Sequence, residues 1–195
     1  MIKYPGGLPY KEISKKSKKS KTEISFSSAN RGMNLEEDIN ISNEYYKEKG
    51  ICLITKRPTP INIVKVDYSK GAKIVDAYFE HQSTTDYNGV YKGKYIDFEA
   101  KNTKSKTSFP LSNITLHQIE HLKKVITHGG IAFFIIQFEC LDKIYLVDAS
   151  VVVDQYENGK RKSLPIDLIN EKGVEIERAY YPRLKYIEAI DKVYF

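Results

Sequence analysis

The stretch from Asp86 to Lys101 constrains the fold of this chain more than any other. Its second half alternates: Ile96, Phe98 and Ala100 are apolar, while Asp97, Glu99 and Lys101 between them are charged. A period of two marks a half-buried strand, because successive side chains project to opposite faces. Glu99 and Lys101 therefore share one face. A tight turn at Lys92-Gly93 sets Tyr91 opposite Lys94 and, in the same register, Asp86 opposite Glu99. Directly opposed side chains have Cβ atoms roughly 4.5–5.5 Å apart, and like charges at that separation repel. A divalent cation between the carboxylates removes the repulsion, and hard cations such as Mg²⁺ prefer oxygen ligands. Lys101 adds a positive charge able to hold an attacking water or to stabilise a pentavalent phosphate. Asn88-Gly89 is a competing hairpin dipeptide, and pairing about it would carry Asp86 away from Glu99.

Helix and strand signals surround this segment. Asn34, with Glu37 three residues later, has the pattern of a capping box, and Gly50 can end the first helix. Strands are expected over 51–56, 61–66 and 73–79. Pro58 and Pro60 separate the first two, and the turn Asp67-Tyr68-Ser69-Lys70-Gly71 separates the second from the third. A second helix is expected over 113–127, stopped by Gly129-Gly130. Strands at 131–139 and 143–147 and a helix at 186–193 complete the pattern. This is an α/β chain with a mixed central β-sheet flanked by helices. Residues 1–28 read as a flexible basic arm, either a solvated tail or a segment that tracks phosphates. Residues 29–195 form the folded domain.

Bulk composition adds less. A formal charge of +6 and a pI near 9.0 favour a polyanionic partner. No apolar run approaches the length of a membrane span, so a cytoplasmic protein with no membrane partner is expected. Cys52 and Cys140 lie in apolar stretches and read as reduced core residues.

The second helix carries two signals. Ile114, Leu122 and Val125 sit at helical offsets from Gln118 and place it on the apolar, sheet-facing side. A buried amide needs partners, either backbone groups or a metal and its water. His117-Gln118-Ile119-Glu120-His121 also matches H-x-x-E-H, a zinc-peptidase pattern. The polar face formed by His117, His121, Lys124 and His128 favours a solvated helix surface instead.

Several longer words occur together. They are Asn30-Arg31-Gly32-Met33, Lys56-Arg57-Pro58-Thr59-Pro60, Ser83-Thr84-Thr85-Asp86-Tyr87-Asn88-Gly89 and Tyr95-Ile96-Asp97-Phe98-Glu99-Ala100-Lys101. Lys106-Thr107-Ser108-Phe109-Pro110, His117-Gln118-Ile119-Glu120-His121 and Tyr181-Pro182-Arg183 come next in order. With these words the chain resembles the RecU-type Holliday junction resolvases of the PD-(D/E)xK nuclease superfamily. The resemblance implies a restriction-endonuclease-like core with a protruding two-stranded stalk at about 57–80. It further implies a homodimer that nicks opposing strands of four-way junction DNA in recombination and repair, using Mg²⁺ with Mn²⁺ as a substitute. Recombination proteins such as RecA and the branch-migration helicase are the partners it suggests. It assigns metal binding to Thr85, Asp86, Glu99 and Gln118, and catalysis to Asp86, Glu99 and Lys101. Arg31, Lys56, Arg57, Lys70 and Lys73 are the expected DNA contacts. Strand alternation sets Thr85 on the face opposite Asp86, so its part requires a local bulge or a backbone contact. The alternatives are another nuclease of the same superfamily and a catalytically silent junction-binding protein.

Overall fold

A computed structural model describes residues 35–80 and 84–195. The basic arm, Arg31, the proposed cap Asn34 and His81 lie outside the described residues. Six strands form one sheet in the order β1-β4-β5-β7-β8-β10: β1 (Leu53–Lys56), β4 (Tyr87–Tyr91), β5 (Lys94–Thr103), β7 (Ile131–Phe138), β8 (Lys143–Asp148) and β10 (Val174–Glu175). β5 pairs antiparallel with β4 and parallel with β7, so the sheet is mixed. A parallel pair requires a crossover, and α2 (Leu116–Thr127) lies within it.

Helices cover both faces. The alternation in β5 sends Ile96, Phe98 and Ala100 to one face, where they pack with α1 (Leu35–Glu48) and α5 (Tyr186–Tyr194). Phe98 stacks between Tyr87 and Phe133, with ring centroids 4.9 and 4.7 Å away. β7 has neighbours on both faces, so its sequence is a nearly unbroken apolar run instead of an alternating one. Phe134 and Ile136 face the second layer, formed by α2 and α3 (Ala149–Asn158). Asp38 of α1 accepts from Arg178 (2.7 Å) and Arg183 (3.2 Å), tying that helix to the segment before α5.

The β4–β5 hairpin turns at Lys92-Gly93, with φ of 45° and 73° at its two central residues. Positive φ at both positions is what a two-residue turn matched to strand twist demands. The register runs from Tyr91↔Lys94 to Tyr87↔Phe98. Asn88-Gly89 is therefore not a turn; it lies inside β4 against β1. At Gly89 an added Cβ would lie 2.0 Å from the Leu53 carbonyl oxygen and 2.6 Å from Ile54 Cα.

Several expectations are corrected. The second helix begins at Leu116, because residues Leu111–Asn113 first make a 3₁₀ turn and Thr115 then caps the helix. α3, α4 (Ile166–Lys172), the short pair β6 (Ser108–Pro110) and β9 (Ser163–Pro165), and β10 are elements that local sequence signals did not lead us to expect. Cys52 is buried as expected, but Cys140 is exposed, because β7 ends at Phe138 and the chain turns outward there.

β2 (Ile61–Asp67) and β3 (Lys73–Phe79) form a separate two-stranded ribbon with a register irregularity near Lys65. It occupies the region expected for a stalk. Most of its apolar side chains are uncovered, including Phe79 at 76% and Tyr78 at 60% exposure.

Gly89→Ala is expected to destabilise the protein by about 2 kcal/mol or more, since backbone of β1 must move to admit the methyl group. Thermal unfolding should show a fall of roughly 5 °C or more; an unchanged midpoint would contradict the close approach.

Candidate active site

Asp86 stands one residue before β4 and is held at two points. Its backbone carbonyl accepts from Arg57 N at 2.7 Å, and its Oδ2 accepts from Ala100 N at 3.0 Å. These bonds fix its carboxylate beside Glu99, as the hairpin register requires. Glu99 is 1% exposed. Its Oε1 accepts from Lys101 Nζ at 2.8 Å and closely from Gln118 Nε2. Its Oε2 is buried with no hydrogen-bond partner. An unsatisfied buried carboxylate oxygen is costly, and here it lies next to a second carboxylate. Burial, then the charge of Asp86, raise the Glu99 pKa to about 7, against the opposing effect of Lys101.

This donor set suits a hard divalent cation: oxygen atoms only, one of them buried and unpaired, with a lysine alongside. The H-x-x-E-H reading lacks a comparable set. His121 Nε2 contacts Asp97 Oδ2 at 2.9 Å, whereas His117 Nε2 lies 3.3 Å from Thr115 Oγ1. Among the described residues no group of three or more His, Cys, Asp or Glu side chains is arranged to hold a metal ion. His121 is also only partly solvated, because Asp97 draws it toward the sheet.

Gln118 serves two ends at once. Its Oε1 accepts from Thr115 N at 3.0 Å, closing the capping box of α2, while its Nε2 donates to Glu99. Thr85 precedes β4, so strand alternation does not govern it. Its hydroxyl donates to Asp97, which shares the polar face of β5 with Glu99. No bulge is needed to bring Thr85 and Asp86 to the same side.

Asp97 is the residue that sequence reasoning missed. It is fully buried and accepts from Arg57 Nη2 (2.9 Å) and Tyr95 OH (2.8 Å), besides Thr85 and His121. Its alternation with Glu99 was the available signal, but the polar face of β5 is covered by α2 instead of by water. Arg57, expected as a DNA contact, is thus committed to Asp97. Lys56 pairs with Glu36 at 2.5 Å. Lys70 lies in the ribbon turn and Lys73 on β3 opposite Asp67, both on the separate ribbon.

A folded-state pKa above the ordinary value means that Glu99 stabilises the fold while protonated. That contribution is complete below about pH 4.5 and is lost as pH rises through about 7. Without divalent metal, Glu99→Gln should therefore melt above wild type at pH 8, by on the order of 3 kcal/mol in stability. The gap should close near pH 5; equal midpoints at both pH values would contradict the raised pKa.

Comparison with known proteins identifies the family. Residues 30–192 match the family model RecU, recombination protein U. The chain is 52% identical over 200 residues to the Holliday junction resolvase RecU of Geobacillus sp. (strain WCH70), covering 100% of this chain and 98% of that protein. It is 51% identical over 199 residues to the protein of the same name from Bacillus thuringiensis (strain Al Hakam), with the same coverage. A solved structure of Hjc, a Holliday junction resolvase from Archaeoglobus fulgidus, matches with a TM-score of 0.39 and 12% identity, over 70% of this chain and 94% of that one; at that distance it adds nothing to the assignment. On the family model and the end-to-end relatives, the chain belongs to the RecU family.

Proposed function

We propose that this chain is a Holliday junction resolvase, a divalent-metal-dependent endonuclease that nicks opposing strands of four-way DNA junctions. The observation that carries the reading is the end-to-end identity of about half the residues to proteins bearing that name. The carboxylate pair with its unpaired oxygen supports it chemically.

Asp86 and Glu99 are the residues that would hold Mg²⁺, with Mn²⁺ as a substitute and Thr85 and Gln118 as further ligands. Bound there, the ion supplies Lewis-acid polarisation of the phosphate and lowers the pKa of water. Glu99, through its unpaired Oε2, and Asp86 beside it would orient the attacking water. Lys101, on the same strand face, donates toward the phosphate oxygen on which negative charge grows. A ligand role for Gln118 needs its amide to turn, since Oε1 now serves Thr115 and Nε2 faces Glu99. Arg57 acts through Asp97 and Asp86, besides any contact with DNA.

The ribbon supports a homodimer. A lone two-stranded ribbon is marginal in water, and Ile63, Val75, Tyr78 and Phe79 are all more than half exposed. A second copy covering them would present two symmetric sites to opposing strands. Arg31, Lys56, Lys70 and Lys73 are the remaining proposed DNA contacts. No helix among the described residues is long and apolar enough to cross a membrane. A DNA-processing role fits the cytoplasm, alongside recombination proteins such as RecA and the branch-migration helicase.

Asp86→Ala and Lys101→Ala should each lower Mg²⁺-dependent junction nicking by roughly 100-fold or more while junction binding persists. Retained nicking in Asp86→Ala would favour a silent junction-binding protein. Chelation with EDTA should stop cleavage, and added Mg²⁺ should restore it. Four-way junctions should be cut far faster than matched linear duplex; equal rates would favour a nuclease of other specificity.

A further inference from the structure

Resting on that functional reading, we infer that His121 is a positioning residue for the metal site. Through Asp97 it ties the segment carrying Asp86 to α2, and so sets the affinity of the site for its divalent ion. The H-x-x-E-H word thereby gains a role that neither a shared metal nor a solvated face supplies. His121 Nε2 lies 2.9 Å from Asp97 Oδ2. That oxygen also takes the Arg57 guanidinium and acts as an acceptor, so Nε2 carries the hydrogen. The Asp97 side chain is 0% exposed and that of His121 25% exposed, so the imidazole bridges a buried carboxylate and the surface.

Two observations carry this beyond an ordinary packing contact. The first is register. α2 belongs to the crossover between the parallel strands β5 and β7 and runs back along the sheet, so later helix residues meet earlier strand residues. Gln118 donates to Glu99, and His121 to Asp97. Residues three apart on a helix face have Cβ atoms about 5–6 Å apart, and residues two apart on a strand are separated by about 6.6 Å. The spacings nearly match, so both contacts form together and hold α2 at one position over the two carboxylates. The second is what else Asp97 holds. Its Oδ1 accepts from the Thr85 hydroxyl and its Oδ2 from Arg57. Thr85 precedes Asp86, and Arg57 N donates to the Asp86 carbonyl at 2.7 Å. A buried carboxylate that loses a donor must draw more on those that remain, and two of these belong to the support of Asp86. Outer partners of this kind typically change metal affinity or activity by about 10- to 100-fold when removed.

The test compares the full-length wild type with His121→Leu, His121→Gln and His117→Gln. Glutamine is chosen because its terminal amide can donate as the imidazole does. Mn²⁺ binding is followed by water-proton relaxation without DNA, and the Mg²⁺ dependence of nicking is followed on a synthetic four-way junction. Thermal unfolding fixes a temperature at which every variant is folded. His121→Leu should weaken Mn²⁺ binding and raise the half-saturating Mg²⁺ concentration by about tenfold, with the junction Kd of wild type. His121→Gln should recover most of that loss, and His117→Gln should match wild type. Wild-type Mn²⁺ affinity in His121→Leu would overturn the proposal. Equal weakness in the Leu and Gln variants would reduce His121 to packing and overturn it as well. A wild type that takes up Mn²⁺ but nicks no junction would overturn the functional reading, while the Mn²⁺ titrations still decide the role of His121.

Discussion

The structure turns on a repulsive contact, the juxtaposition of Asp86 and Glu99 on the covered face of β5. Nothing in the fold relieves it completely. Lys101 and Gln118 both address Glu99 Oε1, and Oε2 has no partner. Folding nevertheless holds the pair together through the I′-type turn at Lys92-Gly93 and the two backbone bonds to Asp86. On the proposed function, the stability given up locally pre-organises a site for a cation, and the surrounding apolar layers supply it elsewhere.

Asp97 extends that logic one position along the same strand face. Its buried carboxylate is satisfied by Arg57, Tyr95, Thr85 and His121, four groups from different parts of the chain. Two of those contacts flank Asp86: Thr85 precedes it, and Arg57 donates its backbone N–H to the Asp86 carbonyl. One fully paired carboxylate thus braces the loop that carries Asp86. The His residues of the H-x-x-E-H word are absorbed in the same way, one by Asp97 and one by the helix cap.

How much of this was legible depended on range. The alternating strand, the hairpin register and the inward face of Gln118 come from local periodicity, and the structure has all three. Burial of Asp97 was hidden because a charged side chain at period two reads as solvated unless the covering helix is known. α3 was hidden for another reason. Val151-Val152-Val153 is a β-branched run with strand character, yet Asp148 caps a helix there by accepting from Ser150 N at 2.8 Å. Val152 and Val153 then pack into the second layer.

On the proposed function, the Asp86–Glu99 carboxylate pair exists to bind a divalent ion. Titration of Mn²⁺ into the purified protein, monitored by water-proton relaxation, tests it directly. Saturable binding in wild type that disappears in Asp86→Asn is the predicted result. Equal binding by the two proteins would contradict the account.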